Sequence, residues 1–513
     1  MERKERCVVT GIGILSSIGN HKKEVLNHMK KGLTGIGEIT RFETDEFMSE
    51  MGGELKNYDP NQYFSQTEQK QYDRCAQYAI ISAKEAITDS YLNLKENKRQ
   101  KIGVAFGTCN GGINSIEQQG DVHHLDNEYT ARYPFYQQGD DVATYFNLNG
   151  PVNTLNTACA ASGNAIGFAH DMITQGYADA MLAGGADSMS STVYAGFNVL
   201  QSLNDKPCSP YNNAFGLSLG EGSAFLVLEP LSKALERNAF IYAEICGYGL
   251  SNDSYHETAP DPEGEGIRFA ASSALKHANV DKKQIGYVNT HGTGTKANDV
   301  AELNGLKKLF GEDLFSTIYF SSSKAYFGHN LGAAAVIEYV TTLLAMQEGL
   351  LPATVNFETP REGCDHDNLI TNEMKKASPA YFLCNNSAFG GHNVSVVSRN
   401  WKESQSRTST KSHEEERVVI TGLGMVHGKE KIQGGALERI ISSMDPVDEC
   451  TFSLKEYDKS LYQRRMNRLS QFSIGAADLA LKDANVVMSE KNEYKVGLVY
   501  GTSRGTLQSS EKY

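Results

Sequence analysis

The chain is 513 residues long and begins the same series of segments twice. The run RVVITGLGM at 417–425 repeats RCVVTGIGI at 6–14, and two further repeated segments follow it in the same order. These further pairs are 467–484 with 73–90, and 497–511 with 103–117. Three matches in one order predict an internal duplication, so the fold has to be sought in each copy separately.

A polar segment with few apolar side chains separates the two copies and is predicted to be a linker. The predicted regions are a first domain, the linker and a partial second copy, at 1–400, 401–416 and 417–513. The second copy stops before any counterpart of Cys159. Its one cysteine, Cys450, lies in an unmatched loop, and Ser503 stands where the first copy has Cys109. We therefore expect the second copy to add no active site.

Composition excludes several functions. The formal net charge of −13 argues against binding to nucleic acid or to anionic lipid. The nine cysteines form no CxxC pair, and an odd number suits a disulfide framework poorly, so we expect a reduced, cytoplasmic protein. The longest apolar stretch, 331–346, is interrupted by Glu338 and is shorter than the roughly 18 residues of a membrane span, so no such span is predicted.

Strand-like runs alternate with helical patterns in the first copy, which predicts a layered α/β fold. Strands are predicted at 6–14, 103–108, 178–187 and 224–229, and a helix at 74–91. In the first strand Gly11 and Gly13 resemble the start of a dinucleotide-binding loop, but Ser16 stands at the third glycine position. We expect a turn that ends the strand rather than a nucleotide site.

One cysteine is surrounded by small residues. Cys159 lies in NTACAASGNAIG, after a predicted strand at 152–157 and before a predicted helix at 162–174. A sulfur near a helix N-terminus is favoured as thiolate, and its small neighbours would admit a large substrate. The alternative is a buried cysteine that only fills space.

Two histidines share this kind of setting. His291 lies in NTHGTGT, and His329 lies in SSSKAYFGHNLGAA, five residues after Lys324. Each follows a predicted strand and has small neighbours. With Cys159 they could form a nucleophilic centre, or they could be three zinc ligands, and metal analysis would discriminate between these readings.

These motifs, in this order, resemble those of a β-ketoacyl-acyl carrier protein synthase of the thiolase superfamily. The segments GLSLGEGSAFLVLE, NDSYHETAP and NNSAFGGHN resemble further parts of the same family. The resemblance covers residues 1 to about 400. It implies a layered αβαβα fold of two related halves, about 1–245 and 246–400. It also implies an acyltransferase of fatty acid or polyketide synthesis, which works without a metal.

The resemblance assigns roles to the three central residues. Cys159 would accept an acyl group from a carrier-protein thioester. His291 and His329, as neutral imidazoles, would donate hydrogen bonds to a malonyl thioester and stabilise the enolate left by decarboxylation. The enolate would then attack acyl-Cys159, and the backbone N–H groups of Cys159 and Phe389 would hold the resulting oxyanion.

The resemblance also implies five supporting residues. Lys324 would support the site electrostatically, and Glu302 would be a carboxylate behind the reacting groups. The alternative for both is an ordinary surface salt bridge. Thr258, Thr293 and Thr295 match positions that bind the phosphopantetheine arm, and the alternative is that their hydroxyls stabilise loops.

The gate loop departs from the family pattern. Here SAFGGHN at 387–393 replaces the usual Phe-Gly-Phe-Gly-Gly-Thr-Asn. Phe389 remains as the gating side chain, but Ala388 removes a glycine hinge and Ser387 removes an aromatic. Chain-length preference and gate motion are therefore expected to differ.

Two other regions differ. Tyr326 and Phe327 are bulkier than usual beside His329. Only Lys70 and Arg74 remain of the basic residues that often face the carrier protein, so docking there is expected to be weaker or to use another patch.

The implied partners are an acyl carrier protein, whose phosphopantetheine carries the substrates, and a second ketosynthase-like copy in a homodimer or pseudo-dimer. No cofactor is expected. The alternative function is a non-elongating partner of the chain-length-factor kind, or a malonyl decarboxylase within a ketosynthase pair. The complete cysteine–histidine set of the first copy favours condensation, whereas the second copy could begin another synthase or such a partner.

Overall fold

The computed structural model describes residues 5–94, 101–119, 126–401, 418–427, 430–433, 452–454, 466–489 and 495–502. The chain divides into two compact units, Met1–Thr410 and Lys411–Tyr513. Apart from Trp401, the predicted linker lies outside the described residues, as do Cys450 and Ser503. Among the described residues no helix is both long and apolar enough to cross a membrane.

The strands of the N-terminal unit are β1 Cys7–Ser16, β2 Gly37–Glu38, β3 Met51–Gly53, β4 Ile102–Gly107, β5 Val152–Leu155, β6 Ala180–Asp187, β7 Leu219–Gly220, β8 Gly222–Pro230, β9 Ala243–Asn252, β10 Ile285–Asn289, β11 Tyr319–Ser321, β12 Leu350–Leu351, β13 Lys375–Lys376, β14 Tyr381–Ser387 and β15 His392–Asn400. Its helices are α1 Lys22–Lys30, α2 Gln66–Gln71, α3 Arg74–Ser90, α4 Ile113–Glu117, α5 Asn127–Thr130, α6 Gln137–Tyr145, α7 Ala161–Thr174, α8 Ser191–Val199, α9 Leu231–Glu236, α10 Glu265–Ala278, α11 Lys296–Phe310, α12 Glu312–Phe315, α13 Lys324–Phe327 and α14 Ala334–Gln347. Among the residues that the structure describes, four short 3₁₀ helices cover Pro60–Gln62, Lys282–Gln284, Leu331–Ala333 and Phe389–Gly391. The predicted strands and the predicted helix are confirmed to within a few residues at their ends.

Ten strands form one sheet in the order β11-β10-β14-β15-β9-β1-β8-β6-β4-β5. In each half, three parallel strands are followed by two antiparallel ones. If the five strands of each half are numbered 1 to 5 in chain order, they lie in the order 3-2-4-5-1 from the edge of the sheet to its centre. The halves meet where β1 pairs with β9, with Cys7 opposite Ile245. The two halves therefore repeat one topology, as the resemblance implied.

Helices divide the unit into layers. The helices α7 and α14 lie in the central core, between strands of the two halves. On the outside, α3 packs on β1, β6 and β8, while α10 packs on β9 and β15. Almost every side chain of α14 is buried, because this helix has protein on all sides. The two five-stranded halves of the sheet are therefore two β layers, with α7 and α14 between them and α3 and α10 outside. This is the αβαβα architecture of the thiolase-like fold.

The two glycines of the first strand have a packing role. A β-carbon on Gly11 would lie 2.3 Å from the carbonyl oxygen of Ala86, and one on Gly13 would lie 2.0 Å from that of Ser82. The strand does not turn at these glycines but continues to Ser16. The predicted strand-ending turn is therefore wrong: the glycines are needed because α3 crosses β1 at very short range.

The C-terminal unit contains three described elements. Strand β16 Gly424–His427 pairs in antiparallel fashion with β17 Glu430–Gln433, and helix α15 spans Arg468–Asp483. The side chain of Asn467 accepts a hydrogen bond from the Ser470 N–H and so caps the helix. Strand and helix therefore occur in the same order as β1 and α3.

Candidate active site

Cys159 lies at the sharp junction between β5 and α7, and its side chain is buried. The residue before it, Ala158, has φ +48°, a left-handed conformation that costs a residue with a β-carbon about 1–2 kcal/mol. Helix α7 begins two residues later without a side-chain cap. The strained turn thus places Cys159 at the N-terminal end of α7, where the helix dipole favours a thiolate.

The pKa of the Cys159 thiol is held well below its ordinary value. The largest cause is a hydrogen bond with Cys109, followed in the same direction by a hydrogen bond with His329 and by the charge of Lys324, while burial opposes them. The pKa of Cys109 is raised instead. Of the two thiols, Cys159 is therefore the one that ionises.

Cys109 was missed as a site residue by sequence reasoning. It lies two residues after the end of β4, and β4 lies parallel to β5, with Gly107 opposite Leu155. Since the carboxyl ends of parallel strands meet at one edge, a thiol after β4 and a thiol after β5 come together. That pairing of strands is the signal that could have found it.

His291 follows β10 and is buried. Its Nδ1 lies 3.2 Å from the Nζ of Lys324, which donates to it. Burial, then the charge of Lys324 and the neighbouring His329, hold the pKa of His291 well below its ordinary value. The ring is therefore neutral near pH 7, with Nδ1 as acceptor and the proton on Nε2.

His329 reaches the same tautomer by another route. Its Nδ1 accepts a hydrogen bond from the backbone N–H of Leu331 at 3.0 Å, so Nε2 carries the ring proton. Its backbone is held by Ser218 and Gly220. The rings of His291 and His329 lie edge to face, with centroids 5.4 Å apart and an interplanar angle of 82°. Two neutral imidazoles thus offer two N–H donors in one place.

Lys324 is fully buried and forms an ion pair with Glu338, which is also fully buried. It additionally donates to the backbone carbonyl of His291. The other oxygen of Glu338 accepts from Asn386 at 3.0 Å and from Asn289 at 3.2 Å. Burial raises the pKa of Glu338, against the opposing charge of Lys324. The alternative of a surface salt bridge for Lys324 is wrong.

Sequence reasoning treated Glu338 only as an interruption of an apolar stretch. A single carboxylate in an otherwise apolar helix, α14, was a signal of a buried partner.

Glu302 is also fully buried, so a surface salt bridge is wrong for it too. Its two oxygens accept from the backbone N–H groups of His291 and Gly292, at 2.8 and 2.9 Å. Burial raises its pKa to about 7, although these two hydrogen bonds lower it. Glu302 therefore holds the loop that carries His291.

The three threonines have different surroundings. The hydroxyls of Thr293 and Thr295 lie 2.8 Å apart and bond to each other, which is also what a loop-stabilising role requires. Thr258 is exposed, and its backbone N–H donates to His256. The carbonyl of Glu257, next to it, accepts from the gate-loop Gly390 N–H at 2.8 Å, so the Thr258 loop adjoins the gate.

The gate loop keeps its glycine-dependent part. Phe389 is half-buried and stacks on Phe197, with ring centroids 5.7 Å apart. Gly390 and Gly391 have φ of +79° and +78°, whereas Ala388 is extended with φ −147°. Position 388 therefore needs no glycine in this conformation, because any residue adopts extended backbone.

The two remaining departures from the family pattern differ in burial. Tyr326 and Phe327 are wholly buried in the core. Lys70 is exposed and Arg74 is half-buried, near the start of α3.

If Cys159, His291 and His329 were zinc ligands, one ligand atom of each would have to lie close to those of the other two. Within the part of the chain that the structure describes, one group of three metal-ligating side chains has suitable spacing, and it consists of His170, Asp171 and His277. Cys159, His291 and His329 do not form such a group, so their arrangement favours the nucleophilic reading.

Comparisons with known proteins agree with this site. Sequence models described as "Beta-ketoacyl synthase, N-terminal domain" and "Beta-ketoacyl synthase, C-terminal domain" match residues 4–234 and 242–358. A 3-oxoacyl-(acyl-carrier-protein) synthase 2 from Synechocystis is 36% identical over 414 residues, covering 78% of this chain and 99% of that protein.

Two solved structures have the same fold. The ishigamide ketosynthase/chain length factor has a TM-score of 0.74 and 30% identity, over 78% of this chain and 100% of that one. The second is a type II polyketide synthase acyl-carrier protein in complex with its ketosynthase bound to the hexaketide. It has a TM-score of 0.71 and 27% identity, over 78% of this chain and 100% of that one.

A thiolase-like fold shared with 3-oxoacyl-(acyl-carrier-protein) synthases defines this protein as an acyltransferase. The chain belongs to the β-ketoacyl synthase family.

Proposed function

We propose that residues 1–400 catalyse the decarboxylative Claisen condensation of an acyl group on Cys159 with a malonyl group on an acyl carrier protein. The observation that carries the proposal is the pair of neutral imidazoles, each held with Nε2 protonated, beside a thiol of lowered pKa.

The first half-reaction loads the enzyme. The Cys159 thiolate attacks the carbonyl carbon of the acyl thioester, the bond to the carrier sulfur breaks, and the carrier thiolate leaves and takes up the proton that Cys159 released. The lowered pKa of Cys159 increases the fraction of its sulfur that is present as the nucleophilic thiolate.

Decarboxylation forms the nucleophile for the second half-reaction. The bond from the malonyl carboxylate to its α-carbon breaks, carbon dioxide leaves, and the electron pair moves into an enolate. The N–H groups of His291 and His329 donate to the enolate oxygen. Lys324 keeps His291 in the donor tautomer, and Glu302 holds its loop.

Condensation completes the cycle. The enolate carbon attacks the acyl-Cys159 carbonyl, the backbone N–H groups of Cys159 and Phe389 hold the oxyanion, and its collapse expels the thiolate. The product is a β-ketoacyl thioester on the carrier. No cofactor takes part in this sequence, since the phosphopantetheine arm belongs to the substrate and would pass Thr258, Thr293 and Thr295.

The proposed carrier is an acyl carrier protein, and the complex named above supports this partner. Lys70 and Arg74 offer it two cationic side chains, and the need for a reduced thiol favours the cytoplasm. We expect dimerisation through β5, an edge strand of the large sheet whose residues are partly exposed.

We further propose that residues 417–513 begin a second ketosynthase-like copy, joined by the linker 401–416. A β-carbon on Gly422 would lie 2.3 Å from the Ala480 carbonyl oxygen, which repeats the close approach of Gly11 to α3. The Leu423 N–H donates to Asp483 at 2.9 Å, as Ile12 donates to Asp89 at 3.0 Å.

Apolar side chains of this second copy are exposed where the first copy buries their counterparts, as expected of the beginning of a domain. Ile420 is 83% exposed and Leu498 is 81% exposed, whereas their counterparts Val9 and Val104 are fully buried. In the first copy Val9 packs in the central core and Val104 packs in the cluster that includes residues of α3 and α6. The linker reaches at most about 50–60 Å, enough to place a second copy as a pseudo-dimer partner.

The condensation proposal is tested with Cys159→Ala in the full chain. Condensation should be lost while malonyl decarboxylation persists, because the imidazoles act in the other half-reaction. The matched variants His291→Ala and His329→Ala should lose decarboxylation. Continued acyl elongation by Cys159→Ala would disprove the covalent mechanism, and a native chain that only decarboxylates would support the alternative function.

A further inference from the structure

Two histidines and an aspartate come together away from Cys159. His170 and Asp171 lie in the last turn of α7, and His277 lies at the end of α10. One potential ligand atom of each lies within 4.8 Å of the others. His170 is buried, Asp171 is half-buried and His277 is exposed, so solvent reaches the group from one side.

The spacing is close to that of a metal centre. Ligand atoms about 2.0–2.2 Å from a tetrahedral zinc ion lie roughly 3.4 Å from each other. His170 Nδ1 and Asp171 Oδ1 are already 3.3 Å apart. The exposed His277 side chain has to approach by about 1.4 Å at most, which a small rotation at the helix end provides.

Tyr248 on β9 orients two of the three side chains. Its hydroxyl donates to Asp171 Oδ2 at 2.7 Å, which turns Oδ1 towards His170. Its backbone meets His277 Nδ1 with the carbonyl oxygen at 3.1 Å and the N–H at 3.3 Å. In the tautomer that donates from Nδ1 to the carbonyl, the Nε2 lone pair is left for a ligand. Carboxylate and histidine ligands are typically held by such outer hydrogen bonds.

We propose that His170, Asp171 and His277 bind a divalent first-row transition metal ion of the Zn²⁺ class, with water completing its coordination. Two imidazoles and one carboxylate suit these ions better than Mg²⁺ or Ca²⁺. The site lies roughly 17 Å along α7 from Cys159, so the ion takes no part in condensation. It ties the helix that follows the nucleophile to the outer layer of the second half of the fold.

The test uses the full chain carrying Cys159→Ala, so that the catalytic thiol adds no zinc ligand. Chelator-treated protein is titrated with ZnCl₂ by calorimetry, and its melting temperature is recorded with and without zinc. We expect saturable binding with a rise in melting temperature. Co²⁺ should give d–d absorption without the charge-transfer band of a thiolate ligand.

Three variants in the same background locate the ion. His277→Ala, at an exposed position, should abolish this binding, and Tyr248→Phe should weaken it by roughly 10- to 100-fold. His21→Ser removes an exposed histidine elsewhere, keeps a residue suited to cap α1, and should bind zinc as the parent does. Failure of the parent to bind zinc, or equal binding by parent and His277→Ala, would show a hydrogen-bonded cluster only.

Discussion

Lys324 Nζ lies 3.2 Å from His291 Nδ1, and this contact determines which nitrogen of His291 carries the proton. An ammonium group can only donate, so the imidazole nitrogen facing it has to accept. The Nε2–H is then available for a substrate oxygen. The ion pair with Glu338 holds the ammonium in this position.

The ionisation of His291 should follow from this contact. In the native chain its ring should stay neutral well below its ordinary titration range, because burial and Lys324 both lower its pKa. In Lys324→Met/Glu338→Gln, which removes both buried charges, the pKa should rise. Histidine ring resonances, assigned by comparison with His291→Asn, measure this. An unchanged titration would contradict the role of Lys324.

The same lowered pKa predicts a pH dependence of stability. The folded protein binds fewer protons at His291 than the unfolded chain does. The contribution of His291 to the free energy of unfolding is therefore complete above about pH 6.5 and is lost as the pH falls below that value. The midpoint of urea unfolding should therefore fall more steeply towards acid in the native chain than in His291→Asn. Parallel curves would disprove this contribution.

Removing Cys109 should make Cys159 less reactive. Cys109→Ala deletes the largest cause of the low pKa of Cys159, so that pKa should rise. Because a hydrogen bond to a charged group contributes about 1.5–3 kcal/mol, alkylation by iodoacetamide near pH 7 should slow measurably. Cys109→Ser, which keeps a donor, is the matched control and should retain most of the rate. Equal rates in both variants would exclude the hydrogen bond.

Breaking the buried ion pair should destabilise the fold. Glu338→Gln leaves Lys324 charged and buried, which typically costs about 3–5 kcal/mol in the free energy of unfolding. The control is Glu348→Gln just beyond the same helix, where the pair with Lys30 is half exposed and contributes about 0–1 kcal/mol. Chemical denaturation measures both, and equal losses would contradict the role of burial.

The second copy should be dispensable for condensation. A chain of residues 1–405 retains the complete site, so its condensation rate and melting temperature should equal those of the full chain. The comparison requires both proteins at the same concentration. Loss of all activity on deletion would mean that residues 417–513 complete the active enzyme.

The sequence determined the broad organisation. Strand and helix patterns are local, because they depend on which residues recur at the spacing of each element. They placed β1, β4, β6 and α3 to within a few residues. The repeated segments marked the second copy, and the spaced motifs around Cys159, His291 and His329 marked the site.

Only the tertiary structure decided which groups work together. Cys109 meets Cys159 because β4 and β5 are parallel neighbours, and Glu338 meets Lys324 because a buried helix brings it there. Gly11 and Gly13 do not form a turn; they are needed because α3 packs against β1 too closely for a β-carbon. Each of these depends on contacts between segments that are distant along the chain. Such contacts set burial, tautomer and pKa, which no local pattern of residues encodes.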